Sequence, residues 1–174
     1  MNKLHLYTGN GKGKTTAAMG LALRSLGHGR SVVVAQFMKD GRSGELTALS
    51  HLPGATVLPA PPIRKFTFRM TADELTQTAR EQTAHARFIL RSLPEWKPDM
   101  IILDELAVAV DRSMVDESTA RELIAACLTF GETVVTGRMA PPWLIDQADY
   151  VSRVQAERHP YDTEGLTARK GIEW

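Results

Sequence analysis

Residues 8–16 read Thr8-Gly9-Asn10-Gly11-Lys12-Gly13-Lys14-Thr15-Thr16. Before them, Leu4-His5-Leu6-Tyr7 alternates apolar and polar positions, the pattern of a strand. After them, Ala17-Ala18-Met19-Gly20-Leu21-Ala22-Leu23 has the composition of a helix. A strand, a glycine-rich turn and Gly-Lys-Thr opening a helix form the context that a phosphate-binding loop needs. Glycines let backbone N–H groups turn toward an anion without a Cβ in the way. The free N–H groups and the dipole at the helix start attract negative charge. In that arrangement Gly9, Asn10, Gly11, Gly13 and Thr16 cradle phosphate, Lys14 reaches the terminal phosphates and the Thr15 hydroxyl meets a magnesium ion. Lys12 adds a second cation. The usual pattern begins with a glycine six residues before the lysine, and that position is Thr8. The alternative is a glycine-rich turn that binds nothing.

A second signal is Ile101-Ile102-Leu103-Asp104-Glu105. A carboxylate at the end of an apolar strand is the usual partner of a phosphate-binding loop and helps to hold its metal. Glu105 is expected to make the closer metal contact, and Asp104 a water-mediated or structural one. Solvated acids in a strand-to-helix turn are the alternative. Arg138, in Thr136-Gly137-Arg138, also follows an apolar strand. It suits a phosphate or ribose contact, or a surface ion pair.

The remaining pattern alternates strand and helix. Strands are predicted at 31–37, 55–58, 100–103, 133–136 and 149–154, with helices at 45–52, 117–128 and 142–147. Pro59-Ala60-Pro61-Pro62 marks a loop. Thr71 and Glu74 form a capping box for a long helix that Pro94 and Pro98 are expected to end. The sum is an α/β, P-loop NTPase-like three-layer fold with a mostly parallel central sheet, RecA-like, in one domain over residues 1–174.

Composition narrows the function. With 21 basic and 20 acidic side chains there is no bulk electrostatic case for nucleic acid or a membrane surface. The single cysteine, Cys127, excludes an internal disulfide and a multi-cysteine metal site. No apolar signal region or membrane-length stretch is seen, so a reducing, cytoplasmic setting is expected. Up to this point the reading is a nucleotide and magnesium site, a description that fits kinases, hydrolases, synthetases and switches alike.

The loop and the Ala17-Ala18 after it resemble those of the P-loop ATP:corrinoid adenosyltransferases. The similarity continues through Leu26-Gly27-His28-Gly29, Gln36-Phe37-Met38-Lys39, Phe66-Thr67-Phe68, Leu103-Asp104-Glu105-Leu106 and Thr136-Gly137-Arg138. It extends through Ala140-Pro141-Pro142, Ala148-Asp149 and His159-Pro160-Tyr161-Asp162 to the closing residues 168–174. The resemblance implies attack of a Co(I) corrinoid on the 5′ carbon of ATP, with triphosphate as leaving group and Mg2+ (or Mn2+) as metal. It implies an ATP lying reversed in the loop. The nucleophile then belongs to the corrinoid, and the protein supplies position and charge, with Lys12 and Lys14 as the catalytic cations.

The same resemblance places Phe66 and Phe68 against the lower face of the corrinoid. There they displace the lower axial ligand and ease reduction of cobalt. Many relatives carry tryptophan where this chain has Phe68. An aromatic pair in an extended segment, Lys65 to Arg69, is also a common core anchor. Arg169 and Lys170 are expected near the nucleotide, while Arg153 replaces a glutamate frequent in the family. The chain opens almost directly at its first strand, so a longer N-terminal corrinoid cover found in some relatives is expected to be absent or replaced. A homodimer and a reduced flavoprotein electron donor are expected as well. His5, His28, His51, His85 and His159 show no paired metal spacing and are expected to be solvated or hydrogen-bonded. A small-molecule kinase and a nucleotide-dependent regulatory module are the competing functions.

Overall fold

The computed structural model describes residues 1–63, 65 and 67–173. Phe66, one of the two expected corrinoid contacts, lies outside the described residues. Six strands form the sheet: β1 Leu4–Thr8, β2 Val32–Gln36, β3 Ala55–Val57, β4 Met100–Asp104, β5 Glu132–Gly137 and β6 Tyr150–Arg153. Their order is β3-β2-β4-β5-β1-β6, and every pairing is parallel rather than most of them. The helices are α1 Lys14–Gly27, α2 Gly44–Ser50, α3 Ala72–Trp96, α4 Leu106–Asp111, α5 Glu117–Phe130, α6 Pro142–Gln147 and α7 Pro160–Glu164.

The inner strands are buried on both faces, which is why they read as continuous apolar runs. Alternate residues go to opposite sides of the sheet. Ile101 and Leu103 join Val33, Ala35 and Val135 in a core with Ile89, Leu93, Leu106, Leu123, Ile124 and Leu144 from α3 to α6. Met100 and Ile102 join Val32, Val34 and Val134 in a second core with Ala18, Met19, Ala22, Leu46 and Leu49 from α1 and α2. These two cores make the three layers. Cys127 is fully buried in the first core, and burial pushes its thiol up to about 12. No described helix is long and apolar enough to cross a membrane.

Three local readings differ from the structure. Pro94 lies inside α3, which runs on to Trp96 and ends at Lys97 with a positive φ of 44°. The helix therefore stops at its left-handed cap, one turn later than the proline suggested. The segment expected to be extended instead holds a 3₁₀ turn, Thr67–Arg69, just ahead of the Thr71 cap. Helices α4 and α7 were not foreseen: α4 is short and mostly apolar, so periodicity could not mark it.

Candidate active site

The loop leaves the carboxyl end of β1, beside the carboxyl ends of β5 and β6. Open parallel sheets bind ligands along that edge. Two glycines have identifiable reasons. Gly13, the N-cap of α1, sits at φ 115°, a conformation that a side chain strains. Gly9 has φ 102°, and a Cβ there would run into the Val154 carbonyl oxygen. The chain leaving β6 presses against the loop: Gly11 N–H donates to the Val154 carbonyl at 2.8 Å, and Ala156 N–H donates to Asn10 Oδ1 at 3.3 Å. Gly9 N–H donates to the Arg138 carbonyl at 3.2 Å. Thr8, where the loop pattern would have glycine, donates its hydroxyl to that same carbonyl at 3.2 Å. The departure at Thr8 thus fastens the loop to the end of β5.

The N–H groups of Gly9 and Gly11 are committed to these carbonyls. Those of Lys12 through Thr16 meet no protein acceptor among the described residues. An anion at this helix start would meet the latter set. Lys14 is buried and its ammonium donates to the Gly11 carbonyl at 2.6 Å. Burial holds its pKa below the ordinary lysine value, and Arg138 and Lys39 act in the same sense. Glu105 and Asp104 oppose them.

β5 stands between the loop strand and the carboxylate strand, and Thr136 on β5 connects the two. Asp104 is fully buried. Its Oδ1 accepts from the Thr15 hydroxyl at 2.8 Å and from the Thr136 hydroxyl at 2.7 Å. Its Oδ2 accepts from Gln36 Nε2 at 2.9 Å and from Lys39 Nζ at 2.8 Å. A buried carboxylate is tolerable when its lone pairs are filled in this way. Lys39 Nζ also donates to Thr15 Oγ1 at 2.8 Å. A cationic group therefore already touches both Thr15 and Asp104. Oxygen ligands suit a hard divalent ion, which completes its shell with water and substrate phosphates. The described residues hold no group of three or more His, Cys, Asp or Glu able to bind a metal. The side-chain Oε1 of Gln36 is buried with no partner among the described residues.

Glu105 adopts φ 60° at the start of α4 and donates its N–H to Thr136 Oγ1 at 2.9 Å. Burial, and then the neighbouring Asp104, raise its pKa above the usual carboxylate value. Lys39, Lys14 and Arg138 counter that rise. The structure therefore brings together Lys14, Thr15, Asp104, Glu105 and Arg138. Sequence reading missed Lys39, Gln36 and Thr136 as members. All three fall in stretches that carry the family resemblance, Gln36 to Lys39 and Thr136 to Arg138, and each stands at or just beyond the carboxyl end of a buried strand, but neither signal gave them a role.

The other candidates are more scattered. Lys12 and Thr16 are exposed at the loop and the first turn of α1. Arg169 donates to the carboxylate of Glu173, at 3.1 Å for the closer terminal contact, and Glu173 also feels Lys12. Arg153 is exposed at the end of β6, in register with Thr8. Phe68 is 78% exposed, with the Arg69 guanidinium carbon 5.6 Å from its ring centre. That exposure removes the core-anchor alternative for Phe68. The turn carrying it lies between β3 and α3.

The histidines are dispersed. His5 stacks on Tyr150 at 4.6 Å, His51 contacts the Thr47 carbonyl, and His159 Nδ1 accepts from Tyr161 N–H at the start of α7. His85 departs from expectation: it is buried against Phe37, and its Nε2 lacks a partner among the described residues. A groove of about 570 Å³ at the amino ends of the strands is lined by Lys3, His5, Arg24, His28 and Arg30 among others, and holds none of the loop or carboxylate residues.

The family model described as ATP:corrinoid adenosyltransferase BtuR/CobO/CobP matches residues 1–174. The corrinoid adenosyltransferase of Pseudomonas aeruginosa is 30% identical over 182 residues, covering 98% of this chain and 83% of the relative. That of Escherichia coli K12 is 32% identical over 170 residues, covering 97% and 84%. The Salmonella typhimurium corrinoid adenosyltransferase is 33% identical over 170 residues, again covering 97% and 84%. A match along the whole chain, on a parallel sheet whose carboxyl edge carries the glycine loop and the buried Asp104, leads to one conclusion: the chain belongs to the ATP:corrinoid adenosyltransferase family.

Proposed function

We propose that this protein transfers the 5′-deoxyadenosyl group of ATP to the Co(I) centre of a corrinoid and releases triphosphate. The observation that carries the reading is the convergence of Lys14, Thr15 and Asp104 at the loop in a chain matched by the family model over its full length. Cobalt is part of the substrate. Its Co(I) electron pair forms the Co–C5′ bond, the C5′–O bond breaks, and that bonding pair leaves with triphosphate. Cobalt is formally oxidised to Co(III).

Charge growing on the leaving triphosphate needs stabilisation that is already in place. The N–H groups from Lys12 to Thr16 can supply it, together with the Lys14 ammonium turning from the Gly11 carbonyl toward phosphate. Lys12 and Arg138 extend the positive edge. Gly9 and Gly11 act by shaping the loop, and Asn10 by anchoring the chain that crosses it. Thr15 and Asp104 would hold Mg2+ (or Mn2+), with Glu105 beside them; the ion would neutralise charge on the phosphates. The sequence reading gave Glu105 the closer contact; the bond between Asp104 and Thr15 supports giving it to Asp104 instead. Phe68, exposed in the turn between β3 and α3, is the described residue assigned to the corrinoid face. A homodimer, a reduced flavoprotein donor and a cytoplasmic setting complete the proposal.

The test is anaerobic incubation of the protein with ATP, magnesium and chemically reduced Co(I) corrinoid. Co(I) absorbance should fall as a light-sensitive adenosyl-corrinoid and inorganic triphosphate form in equal amounts. A kinase would instead release ADP, and a regulatory module would leave Co(I) unchanged.

A further inference from the structure

We infer that Lys39 is a built-in cation that occupies the metal seat of the free protein and yields it when the divalent ion binds. The inference rests on the assignment of that seat to Thr15 and Asp104. Lys39 Nζ lies 2.8 Å from Thr15 Oγ1 and 2.8 Å from Asp104 Oδ2, while Thr15 and Asp104 are themselves in contact. The ammonium therefore touches the same two oxygen-bearing groups that would receive the ion.

The backbone fixes this placement. Phe37 N–H donates to the Asp104 carbonyl at 2.8 Å, continuing the β2–β4 pairing beyond the strand end. Met38 then takes φ 52°, a left-handed turn uncommon for a residue with a side chain. Its N–H donates to Oε1 of the buried Gln82 at 3.2 Å. This turn brings Lys39 back over the sheet edge. The charge also suits the place: the other described hydrogen-bond donors to the fully buried Asp104, Thr15, Gln36 and Thr136, are all neutral. The Lys39 side chain keeps 26% of its surface exposed, so its ammonium has an open path to water when displaced.

Two consequences follow. A divalent ion offered to the protein alone must compete with an intramolecular ammonium, so its apparent affinity is reduced by the fraction of time the seat is free. Once phosphate is present, the displaced ammonium has an anion to meet, and the exchange becomes easier. Lys39 thereby links metal binding to nucleotide binding, as a positioning residue at the metal seat.

The experiment is Mn2+ binding to the nucleotide-free protein, read by the EPR signal of free Mn2+, in wild type, Lys39→Met and Lys39→Arg. If the ammonium holds the seat 90–99% of the time, Lys39→Met should tighten Mn2+ binding about 10- to 100-fold. Lys39→Arg keeps the charge and should tighten it far less. Thermal unfolding of each variant checks that the fold persists, and Lys39→Gln serves if the methionine variant does not fold. The double variant Thr15→Val/Lys39→Met separates the two layers of the argument. If Lys39→Met leaves Mn2+ affinity within about twofold of wild type, while Thr15→Val lowers binding in either background, the Lys39 inference is wrong and the seat stands. If Lys39→Met tightens binding and adding Thr15→Val changes nothing, the ion is binding elsewhere and the seat assignment fails, taking the inference with it.

Discussion

Replacing Asp104 should reveal how much of the fold is tied to the site. Its two oxygens accept four hydrogen bonds, from α1, β5, β2 and the turn after β2. Hydrogen bonds to a charged group contribute about 1.5–3 kcal/mol each, and breaking a buried pair by removing one partner costs about 3–5 kcal/mol. These terms do not add, because the partners relax differently. The Thr15 and Thr136 hydroxyls can rotate toward each other, and the partly exposed Lys39 can turn to water. Gln36 cannot: it is 1% exposed, and its side-chain Oε1 already lacks a partner among the described residues. Asp104→Ala should therefore fall at the low end, about 3 kcal/mol. Asp104→Asn keeps the shape and half the acceptors, and a turned Gln36 amide could face the new NH2, so about 2 kcal/mol is expected. Urea unfolding with nucleotide absent and metal chelated measures this directly. With a slope near 2 kcal/mol/M, the alanine midpoint should drop by about 1.5 M. The exposed Asp146→Ala is the control and should stay within about 0.5 kcal/mol of wild type. An Asp104→Ala midpoint equal to that of the control would refute the claim that this carboxylate joins the layers.

Lys14→Ala should weaken ATP binding by about 1.5–3 kcal/mol, roughly 10- to 150-fold by calorimetry. Stability should change little, since the ammonium's protein partner is the Gly11 carbonyl and burial disfavours its charge; unchanged ATP affinity would refute the loop assignment. Phe68→Ala should spare ATP affinity and stability, because Phe68 is exposed. Adenosylation started from Co(II) with a biological reductant should fall more than adenosylation started from Co(I), and equal losses with a lower melting temperature would return Phe68 to a packing role. His85 is buried, and burial lowers its pKa from 6.5 to about 4. The neutral form is favoured in the fold, so the stabilisation is complete above pH 6.5 and is lost as pH falls through about 4. By pH 4.5 about 2–3 kcal/mol should be gone, and His85→Leu should flatten that loss in urea titrations at pH 7 and 4.5.

The sequence alone determined the elements whose signal is local. The glycine loop needs only a strand before it and a helix after it, and both are written in neighbouring residues. Met100 to Leu103 reads as a doubly covered strand because each side chain on either face meets apolar neighbours. Thr71 and Glu74 cap α3 through contacts three residues apart. What required the tertiary structure was set by partners distant in the chain. Asp104 is a four-way acceptor only because parallel pairing places Gln36, Thr136 and the helix bearing Thr15 around one strand end. Gly9 is required by Val154, which no window of sequence around the loop contains. Lys39 closes the family-like stretch Gln36 to Lys39, but its role appears only when the left-handed turn at Met38 carries it to Thr15 and Asp104. Local propensity thus decides which segments become strands and helices. Long-range register decides which of their end residues share one charge-balanced site, because that balance is a property of several elements meeting and of no single one of them.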